Sequence, residues 1–165
     1  MSPKTHCVYL GLGSNVHARE NIASGIDALD KALSNLELSP AYRTRAIGFD
    51  GDDFINLVAR GNTSMQPLEL KSWLNDLENR HGRTRDVPKF SDRTLDIDIL
   101  LFDDLWTRLP GLEIPRPEIE EFAHVLKPLA DLAPNLIHPA TGITLNEIWQ
   151  GFKNPPAMEE IIPSS

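Results

Sequence analysis

A split-βαβ, ferredoxin-like α+β fold is predicted for this 165-residue chain, and three observations predict it. Apolar, strand-forming runs occur near residues 6–13, 36–44, 54–60 and 95–102. Two stretches of helical periodicity, near 18–35 and from Pro67 to Gly82, separate the first run from the second and the third from the fourth. Glycine, proline, asparagine and aspartate sit at the joins. The order β-α-β-β-α-β implies an antiparallel sheet with both long helices on one face, the opposite face free for a site, and a C-terminal extension. One domain over 1–165 is expected from the length.

Each element has its own reason. The first strand, His6 to Gly13 (HCVYLGLG), runs into a tight Ser14-Asn15 loop. The first helix presents Ile22, Ile26, Leu29 and Leu33 on one side, and Asn35 is a fitting end because asparagine tolerates a left-handed cap. A strand over Leu36–Thr44 precedes the loop Arg45–Asp53, whose two glycines and three aspartates predict mobility. Phe54–Arg60 forms the third strand. Pro67 opens the second helix, Leu70, Trp73, Leu74 and Leu77 form its buried stripe, and Gly82 stops it. Arg83–Asp92 is aperiodic and contains a proline, so it is a loop; Leu95–Phe102 is the clearest strand. A proline-rich turn over Leu109–Pro117, a helix near Glu118–Leu132, a short helix near Leu145–Gln150 and an irregular tail over 153–165 complete the extension.

The net charge of −8 disfavours a general nucleic-acid binder. No apolar stretch approaches the ~20 residues of a spanning helix, so no membrane partner is expected. Cys7 is the single cysteine, which leaves no intrachain disulfide and makes a reducing, cytoplasmic setting the default. Between Arg80 and Arg93, five of the sixteen Lys and Arg residues crowd together, the pattern of a small anionic ligand or of a solvated basic loop.

Candidate chemistry lies in Arg93-Thr94-Leu95-Asp96-Ile97-Asp98. Alternation turns Leu95, Ile97, Ile99 and Leu101 toward the helices and Asp96 and Asp98 to the other face, about 6.5–7 Å apart. Paired carboxylates raise one another's pKa and need a cation beside them, and magnesium is the hard-cation reading. Merely solvated aspartates are the alternative, although aspartate is depleted in strands. Arg83, Arg85 and Arg93 bring guanidinium groups suited to phosphate within a few residues of those acids. Neither a Walker loop nor a dinucleotide fingerprint is present. Glu78 is either a solvated helix glutamate or a site residue. Asn56, between Phe54 and Val58 on one strand face, is either a satisfied amide or a base reader. Phe90 either stacks on a planar ligand or anchors its loop. His124 and His138 have no metal-ligand spacing.

Gly13-Ser14-Asn15, Tyr42-Arg43-Thr44, Phe54-Ile55-Asn56, Glu78, Gly82-Arg83-x-Arg85 and Arg93-Thr94-Leu95-Asp96-Ile97-Asp98-Ile99-Leu100 occur in order, and together they resemble the 6-hydroxymethyl-7,8-dihydropterin pyrophosphokinase family over roughly residues 7–139. The resemblance implies diphosphate transfer from ATP to the hydroxymethyl group of a dihydropterin, leaving AMP, with two Mg²⁺ ions, in folate biosynthesis, and a monomer is expected. It implies that Asp96 and Asp98 hold the metal and that Arg83 and Arg93 stabilise the triphosphate. Glu78, Arg85, Ile99 and Arg116 would contact the nucleotide. Thr44, Ile47, Phe54, Asn56 and Phe90 would bind the pterin, and the loops 45–53 and 83–92 would close over both substrates.

The sequence departs from the family pattern at Ser91-Asp92 before Arg93, at Pro115-Arg116-Pro117 where a Pro-His-Pro turn is usual, at Phe122 and His124, and at Arg45. These changes leave two alternatives open: a divergent diphosphotransferase acting on another small alcohol or nucleotide, and a non-catalytic binding relative.

Overall fold

The computed structural model describes residues 5–46, 49–82 and 94–161. Strand β1 (His6–Ser14), helix α1 (Ala18–Ala32), strands β2 (Ser34–Leu38), β3 (Ala41–Thr44) and β4 (Phe54–Thr63), helix α2 (Pro67–Arg80) and strand β5 (Asp96–Phe102) follow in order. The extension adds the hairpin β6 (Thr107–Leu109) and β7 (Leu112–Ile114), helices α3 (Glu118–Glu121), α4 (Ala123–Leu132) and α5 (Leu145–Gln150), and strand β8 (Glu159–Ile161). The main sheet runs β5-β1-β4-β3-β8, with β2 also on β4, and every pair is antiparallel.

Helices α1 and α2 cover one face. Ile22 and Leu29 of α1 and Leu70, Leu74 and Leu77 of α2 join Val8, Leu10, Leu12, Leu57, Ile97 and Ile99 in one buried cluster. Each fully buried leucine contributes about 1.5–3 kcal/mol by leaving water. The extension folds back so that part of the opposite face is covered, not left wholly open. Ile119, Leu126, Leu129 and Leu145 pack there on Tyr9, Val58, Leu100 and Leu101. The site described below occupies the remainder of that face.

Several elements depart from the sequence expectation for local reasons. The strand expected over 36–44 is two strands, because Pro40 has no N–H to give the ladder. Ser39 Oγ takes the bond from Val58 N at 2.8 Å, and Ser39 N donates to Val58 O at 2.8 Å. Helix α1 ends at Ala32, with Leu33 extended, and Asn35 takes its left-handed φ of 54° inside β2. The pairing of β1 with β5 slips one residue between Tyr9 and Leu10, opposite Leu101 and Ile99. That bulge puts Leu100 and Leu101 on the same face, so Leu101 packs away from α1 and α2. The expected turn over 109–117 is a hairpin closed by Pro110-Gly111, with Gly111 at φ 75°, followed by a cis Ile114–Pro115 bond. The helix expected over 118–132 breaks at Phe122, which is extended. The tail is not irregular throughout: β8 pairs with the outer edge of β3, and Ile161 packs against the α1 side of the core. Pro67 and Gly82 bound α2 as expected, a Gln66/Glu69 capping box closes its start, and Gly82 has φ 78°.

Candidate active site

Among the described residues, strand β5 is an edge of the sheet, pairing with β1 alone. An edge strand leaves alternate N–H groups unpaired. Glu78 of α2 takes one of them: its Oε2 accepts from Ile97 N at 2.8 Å, between the two aspartates. Glu78 is 3% exposed, so it is no solvated surface glutamate. Asp96 and Asp98 are half-buried and lie on the face away from Ile97 and Ile99, as alternation requires.

A cleft opens over this edge. Its walls include Lys71, Asn75 and Glu78 from α2, Asp96, Asp98 and Ile99 from β5, and Arg116 beyond β7. Ile99 is buried in the core and reaches the cleft at the strand edge. Lys71 and Asn75 escaped the sequence reading, although Lys71, Asn75 and Glu78 recur at four and three residues beside the leucine stripe, a polar helical face. Burial first, and then the Asp96 charge, push the Asp98 carboxyl up to about 7; Glu78 and Glu118 add to the push, and Arg116 opposes it. Burial works against the Arg116 charge, but Asp98, Glu118 and Asp96 more than offset it and hold the guanidinium protonated. Arg116 forms an ion pair with Glu118. Its Nε is buried with no hydrogen-bond partner, a donor left for a ligand oxygen.

A second set of side chains lies on the same sheet face. Asp96 pairs with Gly13, Gly13 with Asn56 and Asn56 with Tyr42, one row across β5, β1, β4 and β3. Cross-strand partners share a face, and two inter-strand steps of about 4.8 Å set Asp96 and Asn56 roughly 10 Å apart. Gly13 keeps the floor between them bare: a Cβ there would meet Asn56 Oδ1 at 2.7 Å. Asn56 Nδ2 lies 3.4 Å from the buried Thr44 hydroxyl, whose strand position is opposite Phe54. Phe49 meets Phe54 edge to face, with centroids 6.2 Å apart. Ser14 and Asn15 brace the two flanking segments: Ser14 Oγ donates to Thr94 O at 2.5 Å, and Asn15 Nδ2 to Asp52 O at 3.1 Å.

The structure thus gathers Glu78, Asp96, Asp98, Ile99 and Arg116 at one cleft and sets Thr44, Phe54 and Asn56 along the same face. Ile47, Arg83, Arg85, Phe90 and Arg93 lie outside the described residues. His124 stacks on Phe122 with centroids 5.2 Å apart, and burial holds its pKa below the ordinary histidine value. His138 is 2% exposed, and its Nδ1 accepts from Ala140 N and Thr141 N, a structural turn.

A ferredoxin-like sheet whose open face carries paired carboxylates beside a buried guanidinium defines an α+β protein with a cation- and anion-ready cleft. Residues 9–134 match the 7,8-dihydro-6-hydroxymethylpterin-pyrophosphokinase (HPPK) family, and the chain belongs to that family. It is 41% identical over 133 residues to the 2-amino-4-hydroxy-6-hydroxymethyldihydropteridine pyrophosphokinase of Pseudomonas aeruginosa, covering 78% of this chain and 82% of that protein. The enzyme of the same name from Aquifex aeolicus is 38% identical over 134 residues, with 80% and 83% covered. Among solved structures, Plasmodium falciparum HPPK-DHPS superposes with a TM-score of 0.71 at 15% identity, covering 90% of this chain. The present chain spans 45% of that longer one, and the likeness bears on the fold. Among the described residues, no helix is long and apolar enough to cross a membrane.

Proposed function

We propose that this protein transfers diphosphate from ATP to the hydroxymethyl group of 6-hydroxymethyl-7,8-dihydropterin, releasing AMP, in folate biosynthesis. The observation that carries the reading is the row across the sheet: paired acids on β5, a bare glycine on β1 and an amide reader on β4, in a chain of this family. The donor set fits magnesium. Asp96 and Asp98 crowd each other enough to call for a cation, and hard cations of this kind take one or two carboxylates plus phosphate oxygens and water. Among the described residues, no three metal-binding side chains converge, so phosphate and water would complete the shell. Two such ions, held by Asp96 and Asp98, would neutralise phosphate charge when bound.

The chain's own groups have separate tasks. Glu78 fixes the strand edge from which both aspartates project. Arg116 offers its free Nε–H to a phosphate oxygen, and Ile99 lines the nucleotide side. Asn56, backed by Thr44, reads the polar edge of the pterin, and Phe54 covers its ring. Arg83, Arg85 and Arg93 neutralise the triphosphate, and Ile47 and Phe90 complete the pterin side, on the strength of the motif. The acceptor hydroxyl attacks the β-phosphorus, and the α,β-bridging oxygen leaves with AMP, so positioning and charge neutralisation dominate the chemistry.

The test is AMP release from ATP and Mg²⁺ with and without hydroxymethyl-dihydropterin. AMP formed only with the pterin is the expected result. AMP formed only with a different alcohol, or tight binding of both ligands without turnover, refutes it.

A further inference from the structure

The cleft holds a cation of its own. Arg116 reaches it from the turn after β7, with its backbone fixed on β5: Arg116 N donates to Leu100 O at 3.0 Å, and Arg116 O accepts from Ile119 N at 3.1 Å. The side chain, 29% exposed, meets Glu118, itself 26% exposed, and lines the cleft together with Asp98, on which both charges act. The acids acting here are Asp96, Asp98, Glu118 and Glu78, while Arg116 and Lys71 are the cations among the described residues lining the cleft. Several carboxylates gathered in a half-buried cleft repel one another strongly. A guanidinium cannot lose its proton to relieve its own burial, so it stays charged in that setting.

We infer that Arg116 is a resident counter-cation of this cleft in the ligand-free protein: it neutralises the Asp98 and Glu118 carboxylates until a metal–nucleotide complex replaces it, and it then turns to the phosphate. The inference rests on the magnesium reading given above for its second half alone. Two cations cannot both sit at full strength against the same acids, so Arg116 opposes a divalent ion arriving by itself. An ion arriving with a polyphosphate gives the guanidinium an alternative anion, and its unpartnered Nε a receptor. Mg²⁺ and nucleotide binding are therefore positively coupled through this side chain. A histidine at this position, the residue usual in the family turn, is neutral for most of its population near pH 7 and does not provide this coupling.

The test compares the full chain with Arg116→Gln, Arg116→Lys, Asp98→Asn and the Arg116→Gln/Asp98→Asn double variant. Melting is followed in EDTA, and Mg²⁺ is titrated calorimetrically, alone and with α,β-methylene-ATP. In EDTA, Arg116→Gln melts about 3–6 °C below the parent, Arg116→Lys recovers most of that loss, and the loss shrinks in the Asp98→Asn background. With Mg²⁺ alone, Arg116→Gln binds roughly tenfold more tightly than the parent, while the enhancement of Mg²⁺ binding by the nucleotide analogue falls. An EDTA melt for Arg116→Gln equal to or above the parent's overturns the counter-cation. Unchanged Mg²⁺ affinity overturns the competition. If no variant binds Mg²⁺ with or without nucleotide, yet Arg116→Gln melts lower in EDTA, the magnesium reading fails and the counter-cation stands.

Discussion

Replacing Gly13 by alanine is a severe test of the proposed acceptor site. Gly13 lies between Asn56 and Asp96 in the row across the sheet, and its φ is not in the left-handed region, so alanine is free to adopt the backbone. The new methyl would stand 2.7 Å from Asn56 Oδ1. An ordinary C···O contact is about 3.3 Å, so the amide must withdraw by roughly 0.6 Å. The shift pushes the amide from the β1 side toward β3, so its 3.4 Å contact with the Thr44 hydroxyl and the orientation of its polar edge must both change. A displacement of ~1 Å at a positioning group costs up to 10²-fold in rate, so a 10- to 100-fold loss of kcat/KM is expected. It should fall on the KM for the pterin, with ATP affinity unchanged. Stability should move by less than about 1 kcal/mol, since alanine also lowers the entropy of the unfolded chain. Steady-state kinetics with each substrate varied, beside a thermal melt, provides the assay. An unaltered pterin KM, or an equal loss for ATP, would refute the placement of Asn56.

The other expected outcomes are simpler. Asp96→Ala should abolish Mg²⁺-dependent AMP release while circular dichroism and melting stay close to the parent's; near-normal turnover would remove Asp96 from the metal site. Asp98 holds its proton more tightly folded than unfolded, so its contribution to apoprotein stability is complete below about pH 4 and is lost as pH rises through about 7. Urea melts in EDTA from pH 4 to 8 should show that decline, and Asp98→Asn should flatten it and be the more stable protein at pH 8; parallel curves for the two would contradict the raised carboxyl. Ser39→Ala leaves Val58 N without its partner and should cost about 1–3 kcal/mol in a denaturant titration. A change under a few tenths would mean that the break at Pro40 is satisfied some other way.

Strong local signals carried most of the fold. The alternation of LDIDIL placed Asp96 and Asp98 away from the helices without any tertiary knowledge, and Pro67 and Gly82 bounded α2 through backbone chemistry alone. Alternation failed at Leu101, because a bulge is a property of two strands in register and β5 cannot announce how β1 will pair with it. The tail strand β8 was hidden for a similar reason. Glu159–Ile161 has little strand character of its own and forms against the free edge of β3, with Arg43 lying 3.7 Å from Glu159. Pro40 was legible as a breaker, but the repair by the neighbouring Ser39 hydroxyl was not. At the site, the acids were evident from type and spacing. The role of Glu78 was not, since a helix glutamate looks the same whether it faces water or closes the edge of a distant strand. Lys71 and Asn75 were missed because a polar helical face usually means solvent.

The bare row from Asp96 to Asn56 also acts as a ruler. Its length is counted in ladder steps, and the hydrogen-bonded ladder cannot stretch or compress as a loop can. An alcohol one bond longer or shorter than the fitting one would miss the phosphorus however well its ring were gripped. On the proposed placement of the acceptor, selectivity for its length would be built into the sheet itself, and retuning it would demand new side chains on β3 and β4, not remodelled loops.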